Sequence, residues 1–228
     1  MGKPQLLQLL SFQLGPLHIG VTVLTTWLLM LALTGLAWFG TRRMSVANPS
    51  RLQSALEGTV LALRQAVADA APDHADRLLP FIGTLWLFIA TANLAGLVPG
   101  LGSPTGDLSL TVALALLVFL AVHWFGIRID GFRPYLRHYL DPNPIMLPFH
   151  LLGEITRTLA LAVRLFGNMM SLEMAALLVL LVAGFLAPVP LLMLHIVEAL
   201  VQAYIFGMLA LVYVAGALQS QTLGKRMR

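Results

Sequence analysis

A single arginine, Arg164, lies inside a long apolar stretch of this sequence. The surrounding run, 159–168, is apolar on both sides of it, and the chain stays largely apolar to Ala187. Arginine keeps its proton in proteins, and placing its charge at membrane depth costs about 2.5–3.5 kcal/mol even on lenient insertion scales. We therefore expect Arg164 to take part in moving ions. No carboxylate lies three or four positions away, so its counter-charge must come from another helix or another subunit.

Other polar side chains fall on two helical stripes, because positions three, four and seven apart share one face of a helix. The first stripe comprises Glu154, Arg157, Arg164 and Asn168, and the second comprises His195, Glu198 and Gln202. Two such stripes facing each other in lipid line either a water-accessible path or a contact with another protein.

Glu173 lies nine positions after Arg164. An ideal helix points two residues at that spacing to opposite sides. Glu173 is therefore expected to belong to a different aqueous path rather than to pair with Arg164.

Less specific roles also account for several of these residues. Arg157 lies near the end of its apolar run and can reach the lipid headgroups with its long side chain, which is the interpretation we favour for it. Glu154 can simply pair with Arg157. Asn168, His195 and Gln202 can act as polar contacts between packed helices.

The elements that must position these residues are long apolar helices, since a crossing needs about 20 apolar residues. The sequence predicts an all-α membrane protein with one membrane domain over 1–228. Its five crossings are expected at 17–40, 78–98, 108–127, 145–187 and 190–219. The last two are expected to form a long hairpin. Residues 50–75 have helical apolar spacing with charges between, which fits a helix on the cytoplasmic surface or, equally well, a short soluble linker helix.

Basic residues orient these helices. Lys and Arg are concentrated in 41–77, 128–137 and 225–228, whereas 99–107 and 187–190 contain none. Cytoplasmic loops carry the excess of Lys and Arg. This pattern predicts an N-terminus outside and a C-terminus in the cytoplasm.

Composition and absent motifs exclude several classes of function. The chain has 228 residues, of which 58% are hydrophobic and 11% charged, and it has no cysteine. Soluble domains carry about 25% charged residues. The sequence contains no phosphate-binding loop, no His-Glu-x-x-His metal pair and no nucleophile elbow. We expect no catalytic residue, no metal, no cofactor and no nucleic-acid partner.

Two motifs carry a strong resemblance to a known family. They are the run Arg164-Leu165-Phe166-Gly167-Asn168 followed by Glu173, and His195 followed by Gln202-Ala203-Tyr204-Ile205-Phe206. They resemble subunit a of the F-type ATP synthase, the stator half of its membrane motor. Residues 93–99 and 104–108 are similar to the family's second and third spanning segments, so the likeness runs from about residue 78 to residue 217.

This resemblance implies a rotary mechanism in a bacterial cytoplasmic membrane. A ring of c subunits, each with one carboxylate, would turn past Arg164, whose fixed positive charge releases the ion there and blocks leakage between two half-channels. Peripheral-stalk b subunits, the catalytic head reached through the stalks, and the lipid bilayer would be the other partners. The translocated ion would be a proton or sodium. The last two helices would lie tilted against the ring.

The resemblance also assigns residues to this path. Glu173 and His195 would line the outer half-channel, Asn168 and Gln202 would lie beside the arginine, Asp107 would lie near the outer entrance, and Glu154 would lie on the cytoplasmic side. Two departures stand out. The family's small-Gly-Glu reads Ser171-Leu172-Glu173, which narrows the space beside that carboxylate, and Glu198 is an additional carboxylate.

Two other functions compete with the stator. A self-contained ion channel or secondary transporter would conduct ions without a ring. A structural anchor for the peripheral stalk would not need Arg164 for pumping.

Overall fold

The computed structural model describes residues 12–14, 17–42, 44, 50–98, 103–131, 147–183 and 189–226. Within these ranges the chain forms a short antiparallel pair of strands followed by six helices. The strands are β1 (Phe12–Leu14) and β2 (Leu17–Ile19). The helices are α1 (Val21–Thr41), α2 (Arg51–Ala70), α3 (Ala75–Ala95), α4 (Leu108–Asp130), α5 (Leu147–Ala183) and α6 (Val189–Arg226). Single 3-10 turns, Pro72–His74 and Pro104–Gly106, precede α3 and α4.

The strand pair corrects the expectation of helix alone from residue 17. Leu14 lies opposite Leu17 in the ladder, and Phe12 lies opposite Ile19. Gly20 is extended, with φ −70° and ψ 160°, and it is the N-cap of α1. Glycine is well tolerated at that position. The first helix therefore begins at Val21 rather than at residue 17.

Within the described residues, five helices are long and apolar enough to cross a membrane: α1, α3, α4, α5 and α6. This agrees with the five apolar helices expected from the sequence, although their ends differ. The third long apolar helix, α4, continues to Asp130 instead of 127 and ends at Gly131, whose φ of 89° suits glycine. The helix expected over 50–75 ends at Ala70, because Pro72 begins the next turn and disfavours helical geometry in the residue before it. Residues 145–146 and 184–187, at the two ends of the span expected over 145–187, lie outside the described residues.

The core forms where α3 packs against α6 and α4 packs against α5. Its largest fully buried apolar side chains include Leu78, Ile82 and Ile89 of α3, Val118 of α4, Leu165 and Met169 of α5, Phe206, Leu211 and Val214 of α6, and Val67 of α2. By contrast, α1 contacts α3 only lightly and exposes most of its apolar side chains. Exposed apolar faces on all the spanning helices are what lipid requires.

Trp86 of α3 packs directly against Gly207 of α6. The Trp86 indole lies where a side chain on Gly207 would otherwise be, since a Cβ built there would overlap Trp86 Nε1. The same nitrogen donates a hydrogen bond to the Tyr204 carbonyl oxygen at 3.2 Å, and the two rings stack with centroids 6.0 Å apart. This contact fixes the register between α3, which carries Asn93, and α6, which carries His195 and Gln202.

Candidate functional site

Arg164 lies in the middle of α5 with its side chain exposed. In the part of the chain that the structure describes, its guanidinium has no hydrogen bond and no ion pair. The neighbouring positions Leu161 and Leu165 are buried in the core. The Arg164 side chain itself is exposed, beside the exposed apolar side chain of Val163.

Asn168, one turn after Arg164, connects the two polar stripes. Its Nδ2 donates a hydrogen bond to Gln202 Oε1 at 2.7 Å. Gln202 is 1% exposed, and its Nε2 is buried without a hydrogen-bond partner among the described residues. A buried amide end left unpaired costs about 1–3 kcal/mol. The contact between α5 and α6 therefore includes an energetically unfavourable polar group close to Arg164.

Glu173 faces the other way, toward the turn that precedes α4. Its Oε1 accepts a hydrogen bond from the Ser103 backbone N–H at 2.8 Å. Gly96 and Gly106 make room for the carboxylate, because a Cβ built on either glycine would come within 3.3 Å of one of its oxygens. The carboxylate therefore fits against two positions that carry no side chain.

From the same turn, a buried chain of hydrogen bonds leads toward His195. Ser103 Oγ lies 2.5 Å from Thr105 Oγ1, which donates to Asn93 Oδ1 at 2.7 Å. The Asn93 backbone oxygen lies 3.3 Å from His195 Nε2. His195 is 4% exposed, and Asn93 and Thr105 are fully buried. The Thr105 and His195 contacts use different oxygen atoms of Asn93, so the hydrogen bonds meet at this residue without forming one continuous donor–acceptor relay.

Asp107 acts as the N-cap of α4. Its Oδ1 accepts from the Ser109 backbone N–H at 3.0 Å and from Ser109 Oγ at 2.7 Å. Its Oδ2 accepts from Thr22 Oγ1 at 2.8 Å, which ties α4 to the first turns of α1. Asp107, which was expected near the outer entrance, therefore has a structural role: it caps α4 and joins it to α1.

Glu154 lies at the opposite end of α5 and contacts α4. Its Oε2 is buried and lies 3.3 Å from His123 Nε2. Arg157, one turn farther on, is exposed and places its guanidinium carbon 5.7 Å from the centroid of the Tyr213 ring. Arg157 is thus held by an aromatic ring of α6, in addition to any contact with lipid headgroups.

Glu198 is half-buried on α6, one turn from both His195 and Gln202. It has no hydrogen bond or ion pair with any residue that the structure describes. It therefore does not join the hydrogen-bonded chain that His195 belongs to. Nor does any group of three or more His, Asp or Glu side chains come together within the described ranges in a way that could hold a metal.

Along α5 the acidic groups lie on either side of the arginine. Arg164 is ten positions after Glu154 and nine before Glu173. At 1.5 Å per residue these intervals are about 15 Å and about 14 Å. The positive charge of Arg164 therefore lies about midway along α5 between Glu154 and Glu173, each of which belongs to a polar region.

Sequence reasoning missed several members of these polar regions. Ser103 and His123 were not predicted to have a role, and Asn93 and Thr105 were noted only as parts of motifs. The available signal was a polar residue inside an apolar spanning segment. Asn93 and His123 both meet that description.

Comparison with known proteins identifies close relatives over almost the whole chain. A family model described as ATP synthase A chain matches residues 23–215. The chain is 68% identical over 209 residues to ATP synthase subunit a 2 of Pelobacter propionicus, covering 92% of this chain and 91% of that protein. It is 64% identical over 209 residues to ATP synthase subunit a 1 of Hahella chejuensis, covering 92% and 88%. It is 53% identical over 223 residues to ATP synthase subunit a of Legionella pneumophila strain Corby, covering 98% and 97%.

Proposed function

Because the chain belongs to the ATP synthase A chain family, we propose that Arg164 is the fixed charge that separates two ion half-channels. Proteins of this family are the non-catalytic, multi-pass membrane stator subunit of the F-type ATP synthase. The observation that carries this proposal is the position of Arg164, exposed and without a partner within the described chain, midway between two polar regions. If Arg164 formed a buried ion pair within this chain, its charge would not be available to a carboxylate of another subunit. An outward-facing charge can attract a carboxylate that passes by on a neighbouring subunit.

The physical chemistry of the guanidinium suits this task. It keeps its charge at any biological pH, so a carboxylate of the c ring that arrives beside it is stabilised in its ionised form and releases its ion. The same charge repels a cation moving directly from one half-channel to the other. Each elementary charge that crosses 100 mV supplies about 2.3 kcal/mol, which drives rotation.

The outer half-channel is proposed to run past Glu173, the turn at Ser103 and Thr105, and His195. Its support is the buried chain of hydrogen bonds that joins these residues. The cytoplasmic half-channel is proposed to start at Glu154, at the other end of α5. The positive-inside rule assigns the two sides, with the N-terminus outside and the C-terminus in the cytoplasm.

Partners and location follow from membership of the complex. The c ring would pass the α5 face that carries Arg164, and peripheral-stalk b subunits and lipid would cover other exposed apolar faces. We place α2 along the cytoplasmic surface of the bacterial inner membrane, since it packs on α3 yet leaves Leu52 78% exposed. The translocated ion is a proton or sodium, a choice that depends largely on the ring.

The test is ATP-driven ion uptake by vesicles that contain the whole complex, measured with and without added sodium. Arg164→Ala should abolish uptake at a normal level of assembly. Arg164→Lys should fail largely as well, because the ammonium keeps the charge but loses the planar fork. Arg51→Ala, at the exposed first residue of α2, is the matched control and should pump normally.

Two outcomes would overturn the proposal. Undiminished uptake in Arg164→Ala would mean that the arginine is structural, as the stalk-anchor alternative requires. Rapid ion flux through the purified chain alone, without the ring, would favour a self-contained channel or secondary transporter.

A further inference from the structure

His123 and Glu154 form a pair between α4 and α5, away from Arg164. His123 Nε2 lies 3.3 Å from Glu154 Oε2, and the side chains are 27% and 21% exposed. His123 lies in the last two turns of α4, and Glu154 lies in the second turn of α5. Two ionisable side chains at this depth are expensive to retain unless they have a function.

A backbone contact decides which nitrogen of His123 carries a hydrogen. Its Nδ1 lies 2.9 Å from the carbonyl oxygen of Phe119, four positions earlier on α4. A carbonyl only accepts hydrogen bonds, so Nδ1 must be the donor. Nε2 is then left facing the carboxyl group of Glu154.

The facing atoms require one more proton. An ionised carboxylate and a bare ring nitrogen both present lone pairs, and they would repel each other at 3.3 Å. One proton on either the imidazole or the carboxyl group would relieve this repulsion, and the pair would then have zero net charge.

A small, mostly apolar cavity adjoins Glu154 of the pair. Its volume is about 40 Å³, and the polar part of its lining comes from Glu154, Arg157, Thr158 and Tyr213. A cavity of at least about 10–15 Å³ can hold one water molecule, so this one has room for a water beside the carboxyl group. The neighbouring cavity of about 210 Å³ has no polar surface and offers no such site.

We propose that His123 and Glu154 hold one proton between them and exchange it with water in this cavity, as a unit at the cytoplasmic end of the ion path. When the pair gives its proton to a water molecule, hydronium leaves and the pair carries a net charge of −1. When hydronium returns the proton, the charge returns to zero and water is released. His123 is thus a positioning residue that determines the charge of Glu154.

Among the described residues, the other charged or titratable groups near the pair include His150, which lies one turn before Glu154 on α5. Arg157 of α5 lines the cavity and lies over the ring of Tyr213 of α6. Arg128, toward the end of α4, lies with its guanidinium carbon 5.6 Å from the Trp124 ring centroid. The inference rests on the proposed function, since the pair matters only if ions pass this end of the molecule.

The experiment uses inverted vesicles of the whole complex, in which the cytoplasmic face meets the medium. The rate of ATP-driven uptake is followed as the pH of the medium is varied, for His123→Gln, Glu154→Gln and the double variant. Each single variant should slow uptake about tenfold and alter the same limb of the pH profile. The double variant should be no slower than either single one, because the two residues act as a unit. His74→Gln, at a histidine outside this cavity, should match wild type in rate and in pH profile.

Several results would overturn the inference. One is a wild-type rate and pH profile in His123→Gln or in Glu154→Gln; if one of these variants fails to assemble, the other still decides. Another is a double variant slowed by the product of the two single effects. Arg164→Ala in the same vesicles separates the two proposals: if it abolishes uptake while the pair variants pump normally, only the inference about the pair is wrong.

Discussion

Asn168 Nδ2 donates its hydrogen bond to Gln202 Oε1 across the α5–α6 contact, one helical turn from Arg164. The bond uses only one end of the Gln202 amide and leaves Nε2 buried without a partner among the described residues. This hydrogen bond therefore helps to hold α6 beside the arginine, together with the apolar packing around it.

Asn168→Ala should lower the stability of the complex by about 1–3 kcal/mol, because Gln202 then loses its remaining side-chain bond while it stays buried. The thermal midpoint of the detergent-solubilised complex measures this loss. Replacing both residues with apolar side chains of similar shape, Asn168→Leu with Gln202→Met, should recover most of the stability without recovering pumping. A double variant as unstable as the sum of the single changes would contradict this account.

Ser103→Pro should impair pumping more than Ser103→Ala. Proline removes the backbone N–H that Glu173 accepts from, and the φ of −73° at this residue suits it. Alanine keeps that N–H and removes only the hydroxyl. A hydrogen bond to a charged group is worth about 1.5–3 kcal/mol. Equal rates of ATP-driven uptake for the two variants would show that the bond does not position Glu173.

Gly207→Ala should destabilise the subunit by at least about 1–3 kcal/mol, because its Cβ would displace the Trp86 indole. Assembled complex recovered after mild heating measures the effect. Gly216→Ala on the same helix, where nothing lies within 4 Å of an added Cβ, is the control. It should be neutral or slightly stabilising, since alanine is the better helix former. Adding Trp86→Leu to Gly207→Ala should relieve the clash, and failure of that rescue would count against it.

Asp107→Asn should retain most of the pumping rate, since an amide can still accept from Ser109 and can donate to the Thr22 hydroxyl. Asp107→Ala should cost about 1 kcal/mol, the usual loss for an N-cap. Thr22→Val isolates the tie to α1 and should cost less. Thermal midpoints and uptake rates of the three variants check these expectations. Loss of pumping in Asp107→Asn at full stability would mean that the negative charge itself serves the ion path.

The long helices were predictable because an apolar stretch of about 20 residues has essentially one solution in lipid, a helix whose backbone groups are satisfied internally. Their ends were less predictable, since local features such as Gly131 and the Asp107 cap decide them. The strand pair before Val21 was missed because an apolar run does not distinguish strand from helix without its partner strand.

The polar regions divide in the same way. Helical spacing was enough to put Arg164 and Asn168 on one stripe and Glu173 on the other side of the helix. Contacts between elements, such as Ser103 with Glu173 and His123 with Glu154, depend on how the helices pack, which periodicity within one helix does not contain.

The Trp86 indole seated at Gly207 also has a mechanical consequence. Sliding α6 along α3 by one residue, about 1.5 Å, would break the bond to the Tyr204 carbonyl and drive backbone or a neighbouring side chain into the ring. The contact therefore resists sliding of α6 along α3. In a stator subunit, a force applied to α6 would therefore be transmitted to α3 without displacing one helix along the other.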